Sequence, residues 1–149
     1  MTRADRVEMA TNALVRSTQD PLAAIGVDAV EVEDFRRDVI AGEGPFLDQC
    51  FTPEELDHCH GDIEKLAARF ALKEATLKAL GTGIRGLGLR DVMIATTATG
   101  EPRIELSDEA RVVARARRLD SICCSATHEA GLALAVVAAT SSVQPQEGQ

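Results

Sequence analysis

Lys73 and Glu74 stand side by side in a stretch, residues 66–80, where Leu66, Phe70, Leu77 and Leu80 recur at helical spacing and mark one apolar stripe. At about 100° per residue both charges flank that stripe, each within about 60° of its centre. A helix that needs charge only for solubility carries it on the far side. A carboxylate at the rim of a core calls for something positive to meet it. A metal ion would serve, and a second carboxylate for it is available at Asp28. Asp28 lies in Ile25-Gly26-Val27-Asp28-Ala29-Val30-Glu31-Val32, which alternates like a strand with Val30 and Val32 on the face of Asp28. Aspartate is depleted in strands, so its place there needs a reason. Taken alone, Asp28 fits a strand-end residue or an ion-pair partner better than a metal ligand, because structural ion pairs also put acids in such spots.

The elements that must position these residues follow from punctuation. Residues 5–17 have a weak helical pattern, and Ser17 to Pro21 reads as a linker. A strand is expected at about 22–32, then a short helix from Glu33 to Ile40, stopped by Gly42-Glu43-Gly44-Pro45. Thr52-Pro53-Glu54-Glu55 is a capping box with proline at the first helical position. Asp62 can cap the main helix, and Gly81 ends it. Arg90–Thr97 and Arg103–Leu106 read as strands joined through Gly100-Glu101-Pro102. Ser107-Asp108-Glu109 opens a helix whose later turns carry arginines, which suits its dipole at both ends. Ser121–Ser125 and Leu132–Ala139 are the last strands, with His128 in the turn between them. The polar tail, 141–149, is expected to be disordered. Strands and helices do not alternate regularly, so the class is α+β.

Composition narrows the function. A chain of 149 residues, 45% hydrophobic and 27% charged, is one ordinary soluble domain. It has no run of membrane-spanning length, and the N-terminal segment lacks the apolar core of a signal peptide, so a cytoplasmic location is expected. A net charge of −8 and the absence of Trp and Tyr argue against nucleic acid. Cys123 and Cys124 read as small buried hydrophobes. Cys50 with His58-Cys59-His60 hints at zinc, but the Cys-x-x-Cys spacing is missing. Gly81-Thr82-Gly83-Ile84-Arg85-Gly86 spells G-x-G-x-x-G, yet it follows a helix, where a dinucleotide fingerprint must follow a strand. A helix stop with a flexible loop explains it better, although its backbone N–H groups could also line a phosphate. A histidine in a turn is usually just exposed; Ser125, Thr127 and His128 together would also suit phosphate oxygens.

Taken together these segments resemble the holo-acyl-carrier-protein synthase family, the small single-lobe 4′-phosphopantetheinyl transferases. The family's G-[IL]-D-[IL]-x-E is matched by Gly26-Val27-Asp28-Ala29-Val30-Glu31, and its L-T-x-x-E-L by Phe51-Thr52-Pro53-Glu54-Glu55-Leu56. R-[FW]-A-x-K-E-A-x-x-K-A-x-G-T-G-I is matched from Arg69 to Ile84. The N-G-x-P turn stands as Thr99-Gly100-Glu101-Pro102, and S-x-[ST]-H as Ser125-Ala126-Thr127-His128. The likeness spans residues 22–140, which leaves 1–21 as an N-terminal extension.

The resemblance implies an antiparallel sheet packed on one long helix, a homotrimer with sites between neighbours, and an enzyme. That enzyme would move the 4′-phosphopantetheine arm of coenzyme A onto a serine of an apo acyl carrier protein and release adenosine 3′,5′-bisphosphate. It implies Mg²⁺ held by Asp28 and Glu74, with Lys73 adding charge at the phosphates. Arg69, Lys78, Ser125 and His128 become phosphate contacts, and Gly81, Thr82, Gly83, Gly100 and Pro102 line the pantetheine and adenine regions. A metal-bound water or Glu31 would take the serine proton. Asp34 and Pro45 stand where relatives carry basic residues that dock the acidic carrier, and Arg36 and Arg37 are the candidates to compensate. The alternative is a non-catalytic homologue that binds a carrier protein or nucleotide. The joint presence of Asp28, Lys73, Glu74, Lys78 and His128 weighs against it.

Overall fold

The computed structural model describes residues 22–81 and 86–142; the expected N-terminal helix and linker, Thr82, Gly83 and the tail from residue 143 lie outside them. β1 (Leu22–Glu31), β5 (Leu132–Thr140) and β4 (Ser121–Glu129) form one antiparallel sheet in the order β1-β5-β4. β2 (Val92–Thr96) and β3 (Pro102–Leu106) form a second, two-stranded antiparallel sheet. The helices are α1 (Val32–Cys50), α2 (Pro53–Cys59), α3 (Ile63–Leu80) and α4 (Asp108–Ala116). This is the expected α+β class, antiparallel sheet on a long central helix.

α3 is bounded as its sequence dictates. The Asp62 carboxylate accepts from the N–H groups of Glu64 and Lys65, and Gly81 closes the helix in the left-handed region at φ 69°. The buried face of α3 is wider than one stripe. Leu66, Ala67, Ala71, Leu72, Ala75 and Ala79 are buried, whereas Phe70 and Leu77 are only half-buried. Ala71, Ala75 and Ala79 share a core cluster with Ala135 and Val137 of β5, so small side chains let the helix lie close on the sheet. The approach is tightest at Gly26 of β1, where an added Cβ would collide with the Ala75 carbonyl. Because both partners are backbone, Gly26→Ala is expected to destabilise the fold by about 2 kcal/mol, the scale of overpacking in a rigid core. A melting temperature equal to that of the unaltered chain would show that β1 can retreat.

Three local expectations are overturned. Gly42–Pro45 does not stop α1, which runs on to Cys50 with Pro45 inside it. An interior proline costs about 3 kcal/mol. Phe46, one residue on, has its ring 5.9 Å from Phe35 and 6.4 Å from Phe70, and Phe35 lies 5.3 Å from Phe70. Such contacts are worth about 0.5–1.5 kcal/mol each beyond the area they bury, enough to offset the proline. At α2 half of the capping box forms: Thr52 accepts from the Glu55 N–H, but the Glu55 side chain turns into the core. Cys123 is exposed and Cys124 half-buried, because alternation along β4 sends neighbours to opposite faces. Ser142, the last described residue, bonds the Asp120 carboxylate through both its N–H (2.7 Å) and its hydroxyl (2.6 Å).

Candidate active site

Asp28 sits on the inward face of β1, two residues beyond Gly26, so the close approach that Gly26 permits brings its carboxylate to α3. The Lys78 ammonium donates to Asp28 Oδ1 at 2.9 Å and to the Val27 carbonyl at 3.0 Å. Asp28 is mostly covered and Lys78 is more than half exposed. Glu74, one helical turn before Lys78, completes the cluster. Burial first, then the charge of Asp28, pushes its carboxyl above the ordinary glutamate value of 4.5, and Lys78 pulls it back. One ammonium, bonded to Asp28, faces the charge of two carboxylates, which leaves an excess negative charge at a partly open place. That excess has a thermodynamic consequence. A carboxyl whose pKa is raised by folding binds its proton more tightly in the folded chain, so stability falls as pH rises from 4.5 through the raised value. At neutral pH the Glu74 charge therefore opposes folding, and Glu74→Gln in metal-free buffer is expected to raise the melting temperature at pH 7. The gain should vanish at a pH below the ordinary glutamate value, and thermal melts across that range check it.

Several residues expected at the site lie elsewhere. Lys73 is fully buried. Its three hydrogens go to Glu55 Oε1 (2.9 Å), the Leu89 carbonyl (3.2 Å) and the Val92 carbonyl (2.7 Å), so none remains for a phosphate. Burial pushes the pKa of this ammonium down and Glu55 draws it back up. Arg69 is also buried, bonded to Cys59 Sγ (3.0 Å), the Ile94 carbonyl (3.3 Å) and Thr96 Oγ1 (2.9 Å). Glu31 alternates to the face opposite Asp28 and is paired with Asp34, whose hydrogen bond and charge raise its pKa. It is not placed to take a proton at the Asp28 cluster. Ser125 lies on the outer face of β4, whereas His128 lies on the helix side near the strand's end rather than in a turn, so the expected hydroxyl–imidazole group is split. His128 Nδ1 is 3.2 Å from Glu64 Oε2. Glu64 and Glu74 are ten residues apart on α3, about 15 Å along its axis. One chain therefore does not bring His128 to the Asp28–Glu74 pair. Gly81 caps α3 beside the Arg117 guanidinium, and Gly100, at φ 87°, and Pro102 shape the β2–β3 turn. Glu55 was missed from sequence because its place in a capping box gives it an outward role.

A family model described as the 4′-phosphopantetheinyl transferase superfamily matches residues 24–137. The chain is 39% identical over 131 residues to holo-[acyl-carrier-protein] synthase of Desulforudis audaxviator, covering 86% of this chain and 98% of that one. It is 36% identical over 116 residues to the enzyme of that name from Geobacter sp. (strain M21), covering 75% and 93%. The crystal structure of Helicobacter pylori holo-[acyl-carrier-protein] synthase in complex with coenzyme A matches with a TM-score of 0.71 at 33% identity, covering 78% of this chain and 99% of that one. The chain belongs to the 4′-phosphopantetheinyl transferase superfamily and, within it, to the holo-acyl-carrier-protein synthases. It is an enzyme of that transferase class. Among the described residues no helix is long and apolar enough to cross a membrane.

Proposed function

We propose that this enzyme transfers 4′-phosphopantetheine from coenzyme A to a serine hydroxyl of an apo acyl carrier protein, with Mg²⁺ held by Asp28 and Glu74. The observation that carries the reading is the Asp28–Lys78–Glu74 cluster: two oxygen-donor carboxylates and one exposed cation on a partly open surface. Magnesium is held through one or two carboxylates, with water and substrate phosphates completing its shell, so a larger cage of acids is not required. When bound, the ion supplies Lewis-acid polarisation of the attacked phosphate. Lys78 exchanges its bond to Asp28 for a phosphate oxygen. The serine oxygen forms a bond to the pantetheine-side phosphorus and gives up its proton to solvent water, the bridging P–O bond breaks, and the electron pair leaves on adenosine 3′,5′-bisphosphate. Positioning and charge neutralisation carry most of such a reaction.

The site is completed by a second copy of the chain, and the assembly is a homotrimer. Two features support this. His128 is held far along α3 from the carboxylates of its own chain. The outer face of the β1-β5-β4 sheet leaves Ile25, Val27, Leu132, Leu134 and Val136 exposed, a contiguous apolar surface suited to burial between protomers. Carrier docking falls to α1, where Arg36 and Arg37 are exposed but paired with Glu33 and Asp34.

The test is incubation with coenzyme A, Mg²⁺ and an apo carrier, followed by mass spectrometry of the carrier. The pantetheine mass increment is expected with Mg²⁺ and lost with EDTA. Transfer that survives chelation would falsify the metal role. Light scattering is expected to give three chain masses, and an active monomer would remove the shared site.

A further inference from the structure

We propose that Arg69, Lys73 and Glu55 act together as a clamp that closes the free edge of β2 and fixes the β2–β3 hairpin against α3, making them positioning residues for the transfer reaction. Among the described residues β2 pairs with β3 on one side only. Val92 and Ile94 turn their backbone groups away from that partner, and each finds another. The Val92 N–H bonds the Leu89 carbonyl and the Val92 carbonyl accepts from Lys73 (2.7 Å). The Ile94 N–H donates to Glu55 Oε1 (3.1 Å) and the Ile94 carbonyl accepts from Arg69 (3.3 Å). Arg69 also reaches the Thr96 side chain, which lies 3.2 Å from His58 Nε2. Two helices thus grip one strand through side chains alone. The Lys73 ammonium, 5.3 Å from the centre of the Phe51 ring, is further confined by a cation–π contact.

The hairpin continues from the clamped strand into the turn Thr97–Pro102. That turn is held by its own bonds, from the Thr97 N–H to the Glu101 carbonyl and from the Gly100 N–H to the Thr97 carbonyl. A rigid turn on a rigid strand transmits the clamp's position to its tip. The inference rests on the transfer reading above, together with the resemblance's implication that Gly100 and Pro102 of this turn line the coenzyme A site. It gives Arg69 and Lys73 a role away from the phosphates: they act through the hairpin, and loosening them weakens coenzyme A binding more than the chemical step.

Wild type, Arg69→Met, Arg69→Lys and Thr96→Val are compared by hydrogen exchange over residues 92–106 and by steady-state transfer. In Arg69→Met faster exchange of the hairpin amides is expected, with KM for coenzyme A raised about tenfold, the scale of a lost charged hydrogen bond. kcat should stay within about twofold, because the reacting groups are untouched. Arg69→Lys should recover part of the KM, since an ammonium can reach one of the three acceptors. Thr96→Val removes one exposed hydroxyl and leaves the core alone, so it carries the test if Arg69→Met does not fold. A smaller KM rise with looser hairpin amides is expected there. Unchanged exchange in these variants overturns the clamp, and looser amides with an unmoved KM overturn its positioning role. If wild type itself transfers nothing, the transfer reading fails, and the exchange arm still decides the clamp.

Discussion

Asp28→Ala and Glu74→Ala should each lower phosphopantetheine transfer by about a thousandfold, the scale on which removal of one preorganised charged group acts. The fold should survive both changes. Asp28 is paired with an exposed lysine and Glu74 is only half-buried, so neither leaves an uncompensated charge in the core. Asp28→Asn and Glu74→Gln should be nearly as inactive, because holding a divalent cation requires charge rather than shape. Initial rates at saturating coenzyme A and Mg²⁺, with melts run in parallel, check this. An Asp28→Asn protein that keeps more than a small share of the activity would show that the carboxylate is not a ligand.

The largest effect on stability is expected at Glu55→Ala. Glu55 and Lys73 are both buried, and Glu55 Oε1 accepts from both the Lys73 ammonium and the Ile94 N–H. Removing the carboxylate strands an ammonium in the core and orphans a strand amide. Breaking one partner of a buried pair costs about 3–5 kcal/mol, which lowers the melting temperature by on the order of 10 °C in a domain of this size. Lys73→Met should be comparably harmful, since it leaves the buried Glu55 carboxyl without its ammonium partner and the Leu89 and Val92 carbonyls without their donor. The double variant should lose less than the sum of the two, and the shortfall in a double-mutant cycle measures the pair. Strict additivity would mean that the two residues do not act on each other.

What could be read from the sequence divides along physical lines. Caps and stops were legible at Asp62, Thr52, Ser107 and Gly81, because the groups that satisfy them lie within a few residues. The Asp28–Glu74 meeting was legible as a possibility because both acids sat on predictable faces. The fate of Lys73 was not. Helical periodicity places a residue on a face but does not say how many layers cover that face, and α3 is covered by β1, β2, β4 and β5 together. Gly42–Pro45 misled for the converse reason: local propensity marks a stop, while the Phe35, Phe46 and Phe70 rings that outweigh it come from distant positions. Likewise S-x-[ST]-H reads as one cluster in a line of text, but a strand alternates its side chains and divides it.

The capture of β2 by side chains has a consequence for how the chain behaves while incompletely folded. An uncovered sheet edge offers a ready row of donors and acceptors to any other extended chain, the usual start of fibrous aggregation. Here the Val92 N–H is taken by the Leu89 carbonyl, and the other groups that occupy the edge come from Glu55, Arg69 and Lys73; all of these leave the ribosome before β2 does. The strand therefore emerges after its covers have been made, and once it docks Val92 and Ile94 have no outward backbone group left to recruit a neighbour. Solubility during synthesis is thereby tied to the same three side chains. Weakening them should increase insoluble product at high expression even where the purified protein still melts near the usual temperature.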